Sequence, residues 1–284
     1  MISRLVILGG SGFLGGVARR HAEAAGLRTH AYGSKDVDLL KESSLEAIRD
    51  KVDGETGILV ASAVTPDVAD DAAALSANLE MARNAARFFA RRRPGLVLYL
   101  SSVSVYGRSS TNLAITEETP VDLDSNYARA KFEGEEIFRH AGLPLAVLRV
   151  CQVYGRADTH GSYGPTRFIR GILRERKVTL FGEGEDRRDH LFGEDAGRFI
   201  VRAVRERAEG VFNLATGTSH SFAEVLACLR RIAPAGFDVT RTPRSVPLVH
   251  QGFDIARLKA RFPEESFTPL ETGLRETWEA LSGP

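Results

Sequence analysis

The stretch Leu5-Val-Ile-Leu-Gly-Gly-Ser-Gly-Phe-Leu-Gly15 constrains this chain more than any other. An apolar run leads into glycines spaced three apart, Gly9, Gly12 and Gly15, and residues 16–25 continue with helical spacing to a stop at Gly26. Strand, glycine turn and helix is the context in which such spacing marks a dinucleotide site. A tight turn needs positive φ, which glycine adopts at little cost. A pyrophosphate must come close to the backbone, and the helix start offers unbonded N–H groups and the positive end of its dipole. Ser11, Phe13 and Leu14 complete the turn and join the three glycines as candidate cofactor contacts.

Short apolar segments Leu5–Leu8, Arg28–Tyr32, Gly57–Ala61, Leu96–Leu100 and Leu145–Val150 alternate with helix-patterned Phe13–Ala25, Ser44–Lys51, Leu75–Arg93 and Asn126–His140. The alternation predicts an α/β fold, a doubly wound parallel sheet with helices on both faces. Ligands of such sheets bind beyond the C-terminal ends of the strands. Past Gly155 the pattern loosens. Arg156–Pro165 reads as a loop, Thr166–Arg176 as a helix, Val178–Phe181 as a strand and Gly182–Asp186 as a polar turn. Val211–Ala215 reads as another strand, Ser221–Ile232 as a helix with Glu224 placed for a capping box, and Leu270–Leu281 as a last helix. The expected organisation is a dinucleotide-binding domain over 1–155 and a smaller, mixed substrate-binding cap over 156–284, partly interleaved with the first.

The totals exclude several function classes. With 284 residues and a net charge of +1, the chain has no general attraction for nucleic acid or a membrane surface. Cys151 and Cys228 give no disulfide framework and read as core residues of a cytoplasmic protein. No leader and no run of about 18 apolar residues is seen, so no membrane partner is expected. His160, His190, His220 and His250 show no ligand spacing, and no metal is expected.

Two further stretches carry chemistry. The second strand ends in Gly33-Ser34-Lys35-Asp36, with no acidic residue directly after it. Ser34 and Lys35 suit a 2′-phosphate and favour NADP, while Asp36 or Asp38 leaves NAD possible. The fourth strand runs into Ser101-Ser-Val-Ser-Val-Tyr-Gly107, and further on comes Tyr127-Ala-Arg-Ala-Lys131. Positions i and i+4 of a helix share a face. A nearby ammonium is expected to lower the phenol of Tyr127 from its ordinary value near 10, making it a proton donor and acceptor. Ser102 would hold the substrate oxygen beside it.

With these motifs the chain resembles the extended short-chain dehydrogenase/reductase family, the nucleotide-sugar epimerases, dehydratases and reductases, over nearly its whole length. Gly9–Gly15 matches the family's glycine motif, Ser101–Gly107 its serine strand end, and Tyr127 with Lys131 its catalytic pair. Leu148-Arg-Val-Cys-Gln-Val-Tyr-Gly155, Arg187-Arg-Asp-His-Leu-Phe-Gly-Glu-Asp195 and Phe212-Asn-Leu-Ala-Thr-Gly217 resemble later family segments, the second of them a family Arg-Asp-Phe-x-x-Val-Asp-Asp. The resemblance implies a Rossmann-like fold, with Ser102, Tyr127 and Lys131 catalytic and Lys131 on the nicotinamide ribose. It places Asp38, Leu39, Ala61 and Asn78 near the cofactor, and Ser104, Gln152, Arg187 and Arg188 near the substrate, the arginines suiting a diphosphate. Gln152 stands where many members have Asn.

The departures narrow the expectation. Family dehydratases carry Asp-Glu after the catalytic hydroxyl, where this chain has Val103 and Ser104. Galactose-type epimerases usually have an acidic residue where this chain has Gly33. The leading expectation is NADPH-dependent reduction of a keto group, at C4, on a nucleotide-linked deoxysugar. The alternative is a nucleotide-sugar 4-epimerase with tightly held NAD. Reduction of a non-nucleotide carbonyl and a non-catalytic NADP-binding regulator stay open. The helices Leu75–Arg93 and Asn126–His140 are candidates for pairing in a homodimer.

Overall fold

The computed structural model describes residues 1–108, 111–159, 161, 164–244 and 247–283. In chain order the elements are β1 (Arg4–Leu8), α1 (Phe13–Ala24), β2 (Arg28–Tyr32), a 3-10 run Glu42–Lys51, β3 (Thr56–Val60), α2 (Ala72–Arg92) and β4 (Leu96–Ser102). A 3-10 turn Val103–Tyr106 follows, then β5 (Asn112–Ile115), α3 (Asn126–His140), β6 (Leu145–Val150) and β7 (Gln152–Tyr154). The remainder is α4 (Pro165–Glu175), β8 (Lys177–Phe181), β9 (Arg187–Phe192), α5 (Gly193–Arg205), β10 (Gly210–Leu214), β11 (Ser219–Ser221), α6 (Phe222–Ile232), β12 (Asp238–Thr242), β13 (Gln251–Phe253), α7 (Ala256–Arg261) and α8 (Leu270–Ser282). They fall into two compact units, one of residues 1–107, 119–150 and 196–212, the other of 108–118, 151–195 and 213–284.

The first unit is built on a six-stranded sheet, ordered β10-β6-β4-β3-β1-β2, in which β2, β1, β3, β4 and β6 run parallel. Its apolar strands are buried because helices cover both faces. On one face α2, α3 and the 3-10 run enclose Ile58, Phe88, Phe89, Tyr99 and Phe138. On the other, α1 and α5 pack so closely that a Cβ on Gly197 would lie 2.5 Å from Val17, and Gly57 leaves room for Val204 in the same way. From β1 the chain steps out to the edge strand β2 and then returns past β1 to β3. That reversal opens a crevice beyond the C-terminal ends of β1 and β3, where such sheets take ligands.

The helices of this unit start where side chains satisfy their first N–H groups. Asp71 accepts from Ala74 N at 2.8 Å to cap α2, and Ser125 accepts from Ala128 N at 3.1 Å to cap α3. The expected helix Ser44–Lys51 is instead a 3-10 run over Glu42–Lys51. Its start at Lys41 has no side-chain cap, and its buried residues are Leu45 and Ile48. A spacing of three is what a three-residue turn places on one face.

The second unit holds three small sheets, β11-β9-β7, β12-β8 and β13-β5. Its core is an apolar cluster including Tyr154, Phe168, Ile169, Val225, Leu229 and Leu274, on elements that include α4, α6 and α8. Helix α6 begins with the expected capping box: Glu224 N donates to Ser221 Oγ at 3.1 Å, and Ser221 N donates to Glu224 Oε2 at 2.6 Å.

Candidate active site

The glycines after β1 have different reasons to be glycine. Gly9 has φ +92°, and a Cβ there would lie 2.8 Å from the Ala61 carbonyl carbon and the Ser62 nitrogen. The N–H groups of Gly9 and Gly10 both donate to Tyr32 O at 2.9 Å, locking the turn to the end of β2. A Cβ on Gly15 would overlap Gly9 O. The fold itself therefore demands these two. Gly12 is exposed, with φ −81°, and the nearest atom to a Cβ there is Gly9 O at 3.4 Å. Nothing in the chain forbids a side chain at Gly12, but an approaching pyrophosphate would. Gly12 also opens α1, which has no side-chain cap and no acidic residue in its first turn. The open backbone, the uncapped start and the unopposed dipole fit the phosphates of a dinucleotide. Phe13 is buried, Leu14 is half-buried and Ser11 is exposed beside the turn.

The catalytic candidates meet at the end of β4. Ser102 Oγ accepts from Ser104 N at 3.1 Å and donates to Ser104 Oγ at 2.9 Å. Tyr127 lies in the first turn of α3, and its backbone N–H donates to Asp70 Oδ1 at 2.7 Å. Asn126 Nδ2 donates to Asp70 O at 3.0 Å, so the loop after β3 is tied to the start of α3. Lys131 Nζ donates to Leu100 O at 2.7 Å and lies over the Tyr127 ring, 5.6 Å from its centre. Asn78 clamps that same loop, accepting from Val64 N at 2.8 Å and donating to Val64 O at 2.9 Å. Leu39, Asn78 and Lys131 line one small cavity with Val60, Ser62 and Tyr99.

The electrostatics run opposite to the simplest expectation. Burial pushes the Tyr127 phenol up to about 12, and a hydrogen bond with Ser102 pulls it the other way. The Lys131 ammonium is held by Leu100 O and lies over the ring, and burial rather than that charge sets the direction. Burial also brings Lys131 itself down to about 8, opposed by the charge of Glu135. At neutral pH the pair is therefore a protonated phenol beside a mostly charged amine, a proton-donating state.

Sequence reasoning missed the group beneath this pair. Glu135, one turn beyond Lys131, is fully buried and accepts from Arg149 Nε at 3.0 Å and Arg149 Nη2 at 2.8 Å. Arg149 Nη1 donates to Tyr106 OH at 2.9 Å, and Ser101 Oγ donates to Glu135. The spacing 127, 131, 135 is a readable signal, because it puts three polar residues on one helical stripe that otherwise faces a sheet.

At the end of β2, Ser34 and Lys35 are exposed. Asp36 Oδ2 accepts from Gly33 N at 2.8 Å. Asp38 Oδ1 accepts from Leu40 N at 3.1 Å, and Asp38 Oδ2 pairs with Lys41 at 3.4 Å. Both carboxylates are thus engaged within their own loop. Among the described residues Lys35 is in no ion pair.

In the second unit, Gln152 lies on β7 and both arginines on β9. Arg187 pairs with Glu224 at 3.0 Å and donates from Nη2 to Ser219 O at 2.5 Å. Arg188 donates to Arg187 O at 2.8 Å and to Val249 O, and its Nη2 is 3.9 Å from Asp186 Oδ1. Arg244, missed in the sequence, pairs with Asp186 and with Glu185, the latter at 2.6 Å. Asp189 accepts from Thr216 N at 3.0 Å, Thr216 Oγ1 at 2.9 Å and Gly217 N at 2.9 Å. Cys151 donates to that carboxylate at 3.6 Å, and burial pushes its thiol well up, away from nucleophilic use. His160 lies outside the described residues. Among the described residues no cluster of His, Cys, Asp and Glu is arranged to hold a metal, and no helix is long and apolar enough to cross a membrane.

Sheet order, crevice and glycine turn define a Rossmann-type dinucleotide-binding fold. Residues 5–215 match the NAD dependent epimerase/dehydratase family. The chain belongs to that family, within the extended short-chain dehydrogenase/reductase group. It is 29% identical over 212 residues to a dTDP-glucose 4,6-dehydratase of Streptomyces niveus, covering 68% of this chain and 62% of that one. It is 34% identical over 132 residues to a UDP-glucose 4-epimerase of Mycolicibacterium smegmatis, covering 44% and 42%. The matched region thus spans less than two thirds of either relative. The structure resembles the UDP-glucose 4-epimerase of Thermus thermophilus in complex with NAD, with a TM-score of 0.86, 22% identity and 99% of each chain covered. It also resembles the Thermotoga maritima UDP-glucose 4-epimerase with UDP-glucose, with a TM-score of 0.85, 22% identity and 98% of each chain covered. At that identity the likeness is one of fold.

Proposed function

We propose that this protein reduces a keto group on a nucleotide-linked deoxysugar, at C4 by family resemblance, with NADPH as the hydride source. The observation that carries the reading is the meeting of Ser102, Tyr127 and Lys131 at the end of β4, with Tyr127 held protonated. Hydride would come from the nicotinamide of a dinucleotide whose phosphates are held at the glycine turn. Tyr127 would give its proton to the carbonyl oxygen as negative charge develops there, and Ser102 would orient that oxygen. Lys131 would steady the phenolate left behind. Arg187 and Arg188 suit a diphosphate, and Gln152 a sugar contact.

NADP is favoured over NAD because the free charge at the end of β2 is the Lys35 ammonium, while Asp36 and Asp38 are engaged. Water elimination is disfavoured, since Val103 is buried and Ser104 is the only polar group in the two places after Ser102. A second reading, 4-epimerisation with a retained cofactor, draws on the similar proteins, three of which are UDP-glucose 4-epimerases.

One experiment separates the readings. Nucleotide 4-keto sugars are offered with NADPH or NADH, reduced-nicotinamide absorbance is followed, and purified protein is denatured to release any bound cofactor. The expected result is net oxidation of NADPH and no retained NAD. Tyr127→Phe should lower turnover by about 10²-fold or more and leave NADPH binding unchanged. Lys35→Ala should weaken NADPH about tenfold and spare NADH. Stoichiometric bound NAD with interconversion of UDP-glucose and UDP-galactose would establish the epimerase instead.

A further inference from the structure

In strand β4 the aliphatic residues Leu96, Val97, Leu98 and Leu100 flank one aromatic residue, Tyr99, and all of them are buried. Helix α3 is built around that ring along one stripe, 131, 134 and 138, the spacing of neighbours on a helical face. Phe138 packs against the ring with centres 5.1 Å apart. Gly134 makes room for its hydroxyl, because a Cβ at 134 would overlap Tyr99 OH. Lys131 Nζ lies over the ring, 5.3 Å from its centre. A glycine inside a helix costs stability, and an aliphatic side chain at 99, with no hydroxyl to seat, would not require one. The packing thus gives up helix stability to place an aromatic face against the ammonium.

That ammonium has little else to hold it. It is buried, and among the described residues it makes no ion pair. It donates to Leu100 O at 2.7 Å. Glu135, further along α3, acts on it through charge, but that carboxylate is taken up by Arg149 of β6 and Ser101 of β4. The Tyr127 ring of α3 stands on another side, 5.6 Å away, and Asp67 of the loop after β3 acts on Tyr127. From that loop and from α2, the residues sharing a cavity with Lys131 and Tyr99 are Ser62, Ala63, Asn78, Met81 and Ala82, none of them charged. A cation within about 6 Å of an aromatic centre is attracted by the negative face of the ring, most strongly where water is excluded. Tyr99 brings no charge of its own, since burial and the charges of Tyr127 and Glu135 push its phenol well up.

We infer that Tyr99 is a positioning residue whose ring face seats the Lys131 ammonium and keeps it charged for the work of Tyr127. The inference rests on the proposed role of that pair and adds a residue that acts only through Lys131.

The test reads the lysine directly. The chain has six lysines, few enough for an isotope label at lysine Cε to give a Lys131 signal assigned by its loss in Lys131→Met. The signal is titrated by NMR in wild type, in Tyr99→Phe, in Tyr99→Leu, and in protein carrying phenylalanine with one, two or three ring fluorines at position 99. Fluorine drains electron density from the ring face with little change of shape, so this series keeps the packing that Tyr99→Leu disturbs. Wild type should titrate at about 8, and Tyr99→Phe close to it. Each added fluorine should lower the value, and Tyr99→Leu should lie about one pH unit below wild type. The high-pH break in kcat/KM for keto-sugar reduction should follow the same order. A level fluorine series overturns the inference, as does a break in kcat/KM that stays put while the lysine signal moves. A lysine signal that steps down in a protein reducing no nucleotide 4-keto sugar overturns the reductase reading and leaves the seating of Lys131 standing.

Discussion

Glu135→Gln is expected to destabilise the first unit by about 3–5 kcal/mol. The Glu135 side chain is 0% exposed and that of Arg149 is 6% exposed, so neither charge can turn to water. Glutamine keeps the shape of the carboxylate but removes its charge. The Arg149 guanidinium cannot deprotonate and stays charged, now facing a neutral amide oxygen where the carboxylate stood. Against a whole-fold stability of about 5–15 kcal/mol the loss is large, and the urea midpoint should fall by about 1 M or more. Replacing both partners by apolar residues of similar size, Glu135→Leu with Arg149→Met, should recover most of that stability, because no buried charge is then left alone. Urea unfolding of wild type, the single variant and the double variant measures both effects. A single-variant cost below about 1 kcal/mol, or a double variant as weak as the single, refutes the view that the pair matters by mutual neutralisation.

Two other expectations are open to simple assays. The kcat/KM for reduction should be level through neutral pH and fall above about 8, because the charged form of Lys131 is lost as pH rises through its lowered value while Tyr127, at about 12, is still protonated. Glu135→Gln should move that break to lower pH by removing the charge that holds Lys131 up; an unmoved break would detach Glu135 from the site. Among the glycines, Gly12→Ala should barely change the melting temperature and weaken NADPH about tenfold or more, whereas Gly15→Ala should lower the melting temperature, since its Cβ would overlap Gly9 O.

The parts of this fold legible in the sequence are those fixed by local pattern. Strands Arg28–Tyr32 and Leu145–Val150 and helix Asn126–His140 lie where the alternation of strand and helix patterns predicts them. The short strands β5, β7, β9, β11, β12 and β13 are not legible in that way. They are three to six residues long, several are polar, and each exists through a partner far away in sequence, as Gln152 with His190 shows. Helix α5 also escapes the sequence reading, although Phe199, Ile200, Ala203 and Val204 are all buried. In the site, Ser102, Tyr127 and Lys131 are readable from spacing, but their protonation is not. Spacing reports which side chains are neighbours; it does not report how much solvent the fold removes from them, and here burial decides the sign.

The weaving of the chain has a consequence for how it emerges from a ribosome. By Val150 the strands β1, β2, β3, β4 and β6 have all been made, yet the helix that supplies Val204 above Gly57 arrives only with residues 196–205. Until then the face that α1 lines is only partly covered, and the nascent half must wait, guarded or tangled, for the rest of its own lining.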